Sequence, residues 1–291
     1  MNNIFGISFS NTTLNIAHSI REQGQTELIS VKSIEYPFLF SYDTLFSDDN
    51  LNQTAGLISQ NKLEENIDQA ELYISLPVNF TYPKRVALPV DADAELTGVQ
   101  VKWELGNYLQ GELSDYKVIK KDSELLCETY KEVLFIAVKK DTLERLNKLA
   151  HACGCELNGM KQDIDSILNY LEHFHSDSMQ GNQIVFVADK FTLSAHVYIM
   201  GKYYQTYIDE INGRADDTAE LCLNRYRQID KTLNQLPLTG DQECNIFLAG
   251  PTVDMNILDV MNDKAAKEIV HLKISEKKFE SFAVEALGLT L

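Results

Sequence analysis

A chain that begins the same meander twice is constrained to fold as two related halves, and this one does so. From Ile4, "IFGISFSNTTLNIAHSI" reads as a strand, a tight polar turn and a second strand; "ELISVKSIEYP" adds a third after a turn at Gln23, Gly24 and Gln25. From Gln183, "QIVFVADKFTLSAHVYIMGKYYQTYIDEI" repeats the sequence of strand, turn, strand, a turn at Gly201, and strand. Laying Thr192 and Leu193 on Thr13 and Leu14 puts the two meanders in register at an offset of 179 residues. The 291 residues are enough for two such lobes, each with its own core.

Between the meanders the pattern changes several times. "GLISQNKLEENIDQA" spaces Leu57, Ile58, Leu63 and Ile67 as on a helix, and "ELYISLPVNF" is a strand stopped by Pro77. "TYPKRVALPV" is extended, framed by Pro83 and Pro89. "ADAELTGVQVKWELGNYL" is a helix with Asp93 as its N-cap. Leu96, Val99, Trp103 and Tyr108 fall near one face, which predicts that the lone tryptophan is core. "YKVIKK" and "EVLFIAVKK" are strands, and "DTLERLNKLAHACG" is an amphipathic helix opened by Asp141 and closed by Gly154. Residues 77–157 therefore read as an inserted strand-strand-helix-strand-strand-helix module. "DIDSILNYLEHF" is helical, and the polar "HSDSMQGNQ" marks a boundary. The first lobe is then 1–76 with 158–180, and the second is 181–291. The second lobe continues with a helix over 216–233, a buried strand "CNIFLAG", a short helix "VDMNILDVMND", a strand "EIVHLKIS" and a closing helix "FESFAVEALGL".

Charge and motif content remove several function classes. A net charge of −17 without a basic block opposes binding to nucleic acid or to anionic lipid. No apolar run approaches the roughly 18 residues of a membrane span, and "MNNIFGIS" lacks the features of a signal peptide, so a cytoplasmic location is expected. Five sparse cysteines fit reduced thiols. Cys153 and Cys155 near His151 lack paired zinc-ligand spacing and a fourth ligand, so they read as small buried thiols at a helix end. His173 and His175 read as solvent-facing residues after a helix. There is no G-x-S-x-G, P-loop, G-x-G-x-x-G or H-E-x-x-H.

A three-stranded meander followed by helices and strands, occurring twice, is the plan of an actin-like ATPase. "LPVNFTYPKRVALPV", "VKWELGNYL", "DYKVI", "VLFIAVKKDTLERLNKLAHACGCEL" and the terminal "FAVEALGL" resemble, in order and spacing, the PilM family of type IV pilus assembly proteins. The matching pieces are Leu76-Pro77, Leu88-Pro89, the helix with Trp103-Glu104, and Val133 to Lys139 leading to Gly154. Wider relatives are the cell-division protein FtsA and the cytoplasmic part of the type II secretion protein GspL. The resemblance implies an α/β, actin-like (ribonuclease H-like) fold of two lobes with an inserted small α+β module.

That family resemblance also implies a nucleotide site, whose positions can be compared one by one. The first hairpin typically reads Gly-Ile-Asp-aliphatic-Gly-Ser, where the aspartate holds Mg²⁺ through water and the glycine lets backbone N–H groups approach phosphate. Here the aspartate and second glycine are replaced by Ser8 and Ser10, and Asn11 follows. In the second lobe Val187 takes the place of the aspartate and Asp189 that of the glycine. Two like charges about 4 Å apart at an effective dielectric of 20 repel by roughly 4 kcal/mol, so Asp189 opposes a phosphate. The adenosine loop, Ala-Gly-Gly-Gly in the family, is Ala249-Gly250-Pro251 here, and Pro251 lacks an N–H. The stretch at Ile4 thus reads as a phosphate hairpin that has lost its chemistry, or as a plain hairpin in which Ser8 and Ser10 are turn residues.

The expectation is a non-catalytic scaffold, with ATP and Mg²⁺ disfavoured as ligands. The family implies peripheral attachment at the inner face of the bacterial inner membrane. The attachment runs through a PilN-like bitopic partner whose N-terminal peptide lies between the first lobe and the module. Phe80, Tyr82 and Lys84 are the candidate groove residues. The alternative is an ATPase, phosphotransferase or nucleotide switch using Asp163, Asp165 or Asp189. An FtsA-like membrane tether is a third reading, but "FAVEALGLTL" is too short and has no basic face.

Overall fold

A computed structural model describes residues 2–45, 47–211, 215–236, 244–253, 255–265, 268–272, 274–276, 279–281 and 283–291. The chain opens with β1 (Asn2–Phe9), β2 (Thr13–Glu22) and β3 (Gln25–Glu35), then α1 (Tyr42–Leu45), α2 (Asp48–Glu64) and β4 (Glu71–Leu76). The module follows as β5 (Thr81–Pro89), α3 (Ala94–Tyr108), β6 (Tyr116–Leu126) and β7 (Tyr130–Lys139), leading into α4 (Lys140–Ala152), β8 (Glu156–Gln162) and α5 (Asp163–Phe174). The second meander is β9 (Asn182–Ala188), β10 (Thr192–Ile199) and β11 (Lys202–Glu210), continued by α6 (Ala215–Leu233), β12 (Cys244–Ala249), α7 (Met255–Ala265) and β13 (Ile269–His271). A hairpin of β14 (Ile274–Glu276) and β15 (Phe279–Ser281) precedes α8 (Val284–Thr290).

The repeat read from the sequence is a repeat of topology. One sheet has the order β3-β2-β1-β4-β8 and the other β11-β10-β9-β12-β13, with antiparallel meanders and parallel inner pairs in each. The register repeats as well. Phe9 faces Leu14 in the first hairpin, and Ala188 faces Leu193 at the offset of 179 in the second. This is the α/β, actin-like fold with two lobes.

Three cores sit under these sheets. The first gathers Phe5, Ile7, Leu72, Ile74, Leu146, Ile167 and Leu287; the second gathers Ile184, Phe186, Leu223, Ile246 and Met261. A small third core, Val86, Leu88, Leu105, Val133 and Phe135, belongs to the module sheet β5-β7-β6 and α3. α4 follows β7 in sequence but packs against α2, where its buried Leu146 and Leu149 join the first core. Lys62 of α2 reaches the end of α4 and donates to the carbonyls of Cys153 (3.4 Å) and Gly154 (2.9 Å), supplying cationic donors to a helix C-terminus.

Two sequence expectations are corrected here. Trp103 is not core: α3 carries apolar residues on two faces, and Leu105 is the one turned fully inward while Trp103 is 63% exposed. The closing helix is shorter than "FESFAVEALGL", because Phe279–Ser281 form β15 and α8 starts at Val284. Lys273 and Phe282, inside the expected last strand and last helix, lie outside the described residues.

α8 ends the chain yet packs on α5 and β1 of the first lobe, tying the second half back to the first. Glycine makes this approach possible. A Cβ on Gly288 would lie 1.9 Å from the Ser166 carbonyl oxygen, and one on Gly6 would lie 2.1 Å from that of Ala286. Gly288→Ala is therefore expected to lower unfolding free energy by roughly 1–3 kcal/mol in urea denaturation. Gly56→Ala, in open space on α2, should instead raise it by up to about 1 kcal/mol. A neutral Gly288→Ala would show that α8 does not hold this position.

Candidate functional site

The two hairpin turns meet at the interface of the lobes. Each turn closes with the same backbone bond, Ser10 N–H to the Thr13 carbonyl and Asp189 N–H to the Thr192 carbonyl, both 2.9 Å. Ser10 Oγ sits 2.6 Å from Thr13 Oγ1 and accepts the Thr13 N–H (3.0 Å), so it is bound up in its own turn. Ser8 Oγ accepts from Asn15 Nδ2 (3.3 Å), part of a polar ladder that Ser33 extends.

Asp189 is the joint between the turns. One carboxylate oxygen accepts the N–H of Asn11 across the lobes at 2.6 Å, and the other accepts the N–H of Lys190 at 2.7 Å. Asn11 Nδ2 adds a bond to Thr192 Oγ1 (3.3 Å). A backbone N–H at a tight turn can donate to an anion, and here the anion it meets is the chain's own side chain. Gly250 has φ 115°, and a Cβ there would lie 2.1 Å from the Ala188 carbonyl oxygen; the close approach that this glycine permits is to β9. Thr252, just past Pro251, donates to the same carbonyl at 3.0 Å.

These turns line a cavity of about 100 Å³ with Ser8, Ser10, Asn11, Val187, Asp189, Gly250 and Pro251, which brings together all seven positions compared with the family's nucleotide site. Asp163 and Glu285 also line it, and Glu285 is the acid among the lining residues that sequence reading missed. Asp163 stands at the start of α5, where its oxygens accept the N–H groups of Val78 (2.9 Å) and Ile164 (2.7 Å). Burial raises the Asp163 carboxyl to about 8, with the nearby charge of Glu285 adding to the effect. Burial likewise raises Glu285 to about 7, and Asp189 contributes. Asp165 does not line the cavity; it pairs with Lys121 of the module at 2.5 Å. His196 is buried beside Thr206 Oγ1 (2.9 Å), and burial lowers it to about 3, so it is neutral at pH 7. Tyr198 O–H crosses from β10 to the Ile164 carbonyl (2.8 Å), a second tie between the lobes.

The groove candidates separate. Phe80 is 1% exposed, because the turn Val78–Phe80 after Pro77 swings it onto Phe40, and it belongs to the first core. Tyr82 and Lys84 line a cleft of about 540 Å³ with Tyr108, Glu132, Tyr203 and Tyr204. Its far wall is β11 of the second lobe, not a strand of the first. Lys84 pairs with Glu104 (3.6 Å) and lies over the Tyr108 ring. Arg85 anchors the floor. Its guanidinium donates to the carbonyls of Tyr203, Ser123 (3.1 Å) and Glu132 (3.2 Å), and burial lowers it only to about 10, so it stays charged.

The same architecture occurs in solved structures. The PilM–PilN type IV pilus biogenesis complex superimposes with a TM-score of 0.75 at 12% identity, covering 99% of this chain and 97% of that one. The cytoplasmic domain of EpsL, an inner membrane component of the type II secretion system of Vibrio cholerae, gives 0.53 at 12% identity over 99% and 95%. A Bacteroides thetaiotaomicron protein with an actin-like ATPase fold gives 0.53 at 12% identity over 99% and 93%. No protein-family model and no curated protein matches the chain.

The cavity carboxyls generate a pH dependence. A carboxyl whose native pKa is raised holds its proton more tightly folded than unfolded. It stabilises fully below the unfolded value and loses this as pH rises through about 8 for Asp163 and about 7 for Glu285. His18, His175, His196 and Cys155 have lowered values and act with the opposite sign, so the difference between wild type and Asp163→Asn isolates the aspartate. That difference in unfolding free energy should shift by about 2 kcal/mol between pH 6 and 8, with the wild type losing relative to the variant. A constant difference across that range would mean Asp163 is ionised in the native protein.

Proposed function

We propose that this chain is a non-catalytic, actin-like scaffold of a type IV pilus or type II secretion-like machine. It binds the N-terminal cytoplasmic segment of a bitopic inner-membrane partner of the PilN kind and is held at the cytoplasmic face of the membrane through that partner. The observation that carries the reading is the bond from Asn11 N–H to the Asp189 carboxylate, since it occupies a backbone donor of the turn that the family resemblance assigns to phosphate with the chain's own acid. Supporting it, the cavity of about 100 Å³ is well below the roughly 300–1,000 Å³ of a small-molecule site, and two further acids line it. These residues are a poor match for Mg·ATP, and the proposal includes no nucleotide chemistry.

The partner part of the proposal draws on the likeness to the PilM–PilN complex and on two features of this chain. The cleft with Tyr82, Tyr108, Tyr203 and Tyr204 offers rigid aromatic walls of the kind that anchor peptides. A net charge of −17 favours a partner segment bearing Lys or Arg. Among the described residues no helix is long and apolar enough to cross a membrane, so the proposal assigns the membrane span to the partner.

Calorimetry of the full chain tests both parts. Mg·ATP is expected to give no saturable heat. Synthetic peptides copying the N-terminal segments of bitopic membrane proteins encoded beside it should include one that binds, and Tyr82→Ala should weaken that binding by roughly tenfold. Saturable heat with Mg·ATP would replace the scaffold reading with a nucleotide switch, and failure of every peptide would remove the partner part.

A further inference from the structure

α3 presents a second face that the module does not use. Leu105 is buried against the module sheet, whereas Leu96, Val99 and Trp103 are 46%, 63% and 63% exposed. Their spacing of three and then four continues to Gly106, which is the narrow a/d seam of a heptad and fits another helix better than a flat surface. A Cβ on Gly106 would meet nothing within 4 Å, so the end of the seam is open to close approach.

The charges beside the seam say which helix. Glu95 and Lys102 lie seven residues apart on one flank, both exposed, and neither belongs to an ion pair among the described residues. In an antiparallel helix pair this flank faces its own counterpart. A carboxylate and an ammonium at successive flank positions are then complementary to themselves under a two-fold axis. One register sets Glu95 opposite Lys102 twice and Leu96 on Val99 twice.

We infer that α3 is a homodimerisation helix, pairing antiparallel with α3 of a second copy of this chain through Leu96, Val99 and Trp103. The inference is independent of the partner cleft and of the nucleotide question. It concerns the outer face of the module, away from the interlobe cavity.

Trp103 is the only tryptophan in the chain, so its emission reports this face alone. Sedimentation equilibrium and tryptophan emission of the full chain over a dilution series should show a dimer with a dissociation constant of roughly 1–500 μM, the emission moving to the blue as dimer accumulates. Glu95→Lys and Lys102→Glu should each weaken dimerisation by roughly tenfold, and the double variant should return to within about twofold of wild type. Val99→Glu should abolish the dimer while leaving the thermal midpoint unchanged at a concentration where the wild type is monomeric, since Val99 is 63% exposed. A monomer at every concentration, a dimer indifferent to the reversals, or a double variant as weak as the singles would each overturn the inference. An emission shift that needs a different protein would assign the face to that protein instead.

Discussion

The Asp189 carboxylate accepting the Asn11 N–H joins the two hairpin turns directly, beside the ties made by Tyr198 and α8. A charge-assisted bond of this kind contributes about 1.5–3 kcal/mol, more than an ordinary backbone pair. Burial raises the carboxyls of both Asp163 and Glu285 toward their protonated forms; the charge of Glu285 adds to the effect at Asp163, and that of Asp189 adds to it at Glu285. The interlobe space is therefore small, acidic and internally bonded, whereas a phosphate site needs free N–H donors and an excess of positive charge.

Much of this was legible in the sequence because strand register is a local property. Once Thr13 and Thr192 are aligned, the period of two fixes which side chains share a face. The turns carrying Ser8, Ser10, Val187 and Asp189 must then be equivalent. The bond between the turns was not legible. A sequence can show that Asp189 disfavours phosphate, but not that its oxygen reaches Asn11. Glu285 was out of reach for a different reason: it lies near the end of the chain and enters the cavity only because α8 returns to the first lobe over Gly6 and Gly288.

The module shows where periodicity is ambiguous. α3 has apolar residues on opposite sides, so counting them predicts a buried stripe without saying which stripe it is. Leu105, not Trp103, meets the sheet. Phe80 and Tyr82 are separated by two positions, yet the turn after Pro77 sends the first into the core and leaves the second on a cleft wall. Arg85, read from sequence as one more residue of an extended segment, turns out to tie the module to β11 through backbone carbonyls.

Amide hydrogen exchange across residues 9–13 and 187–192 measures the hairpin-to-hairpin bond directly. The account predicts that the Asn11 amide is protected in the protein alone and that Mg·ATP leaves its exchange rate unchanged. Fast exchange at Asn11 that slows when Mg·ATP is added would contradict it, since that amide would then be held open for a phosphate.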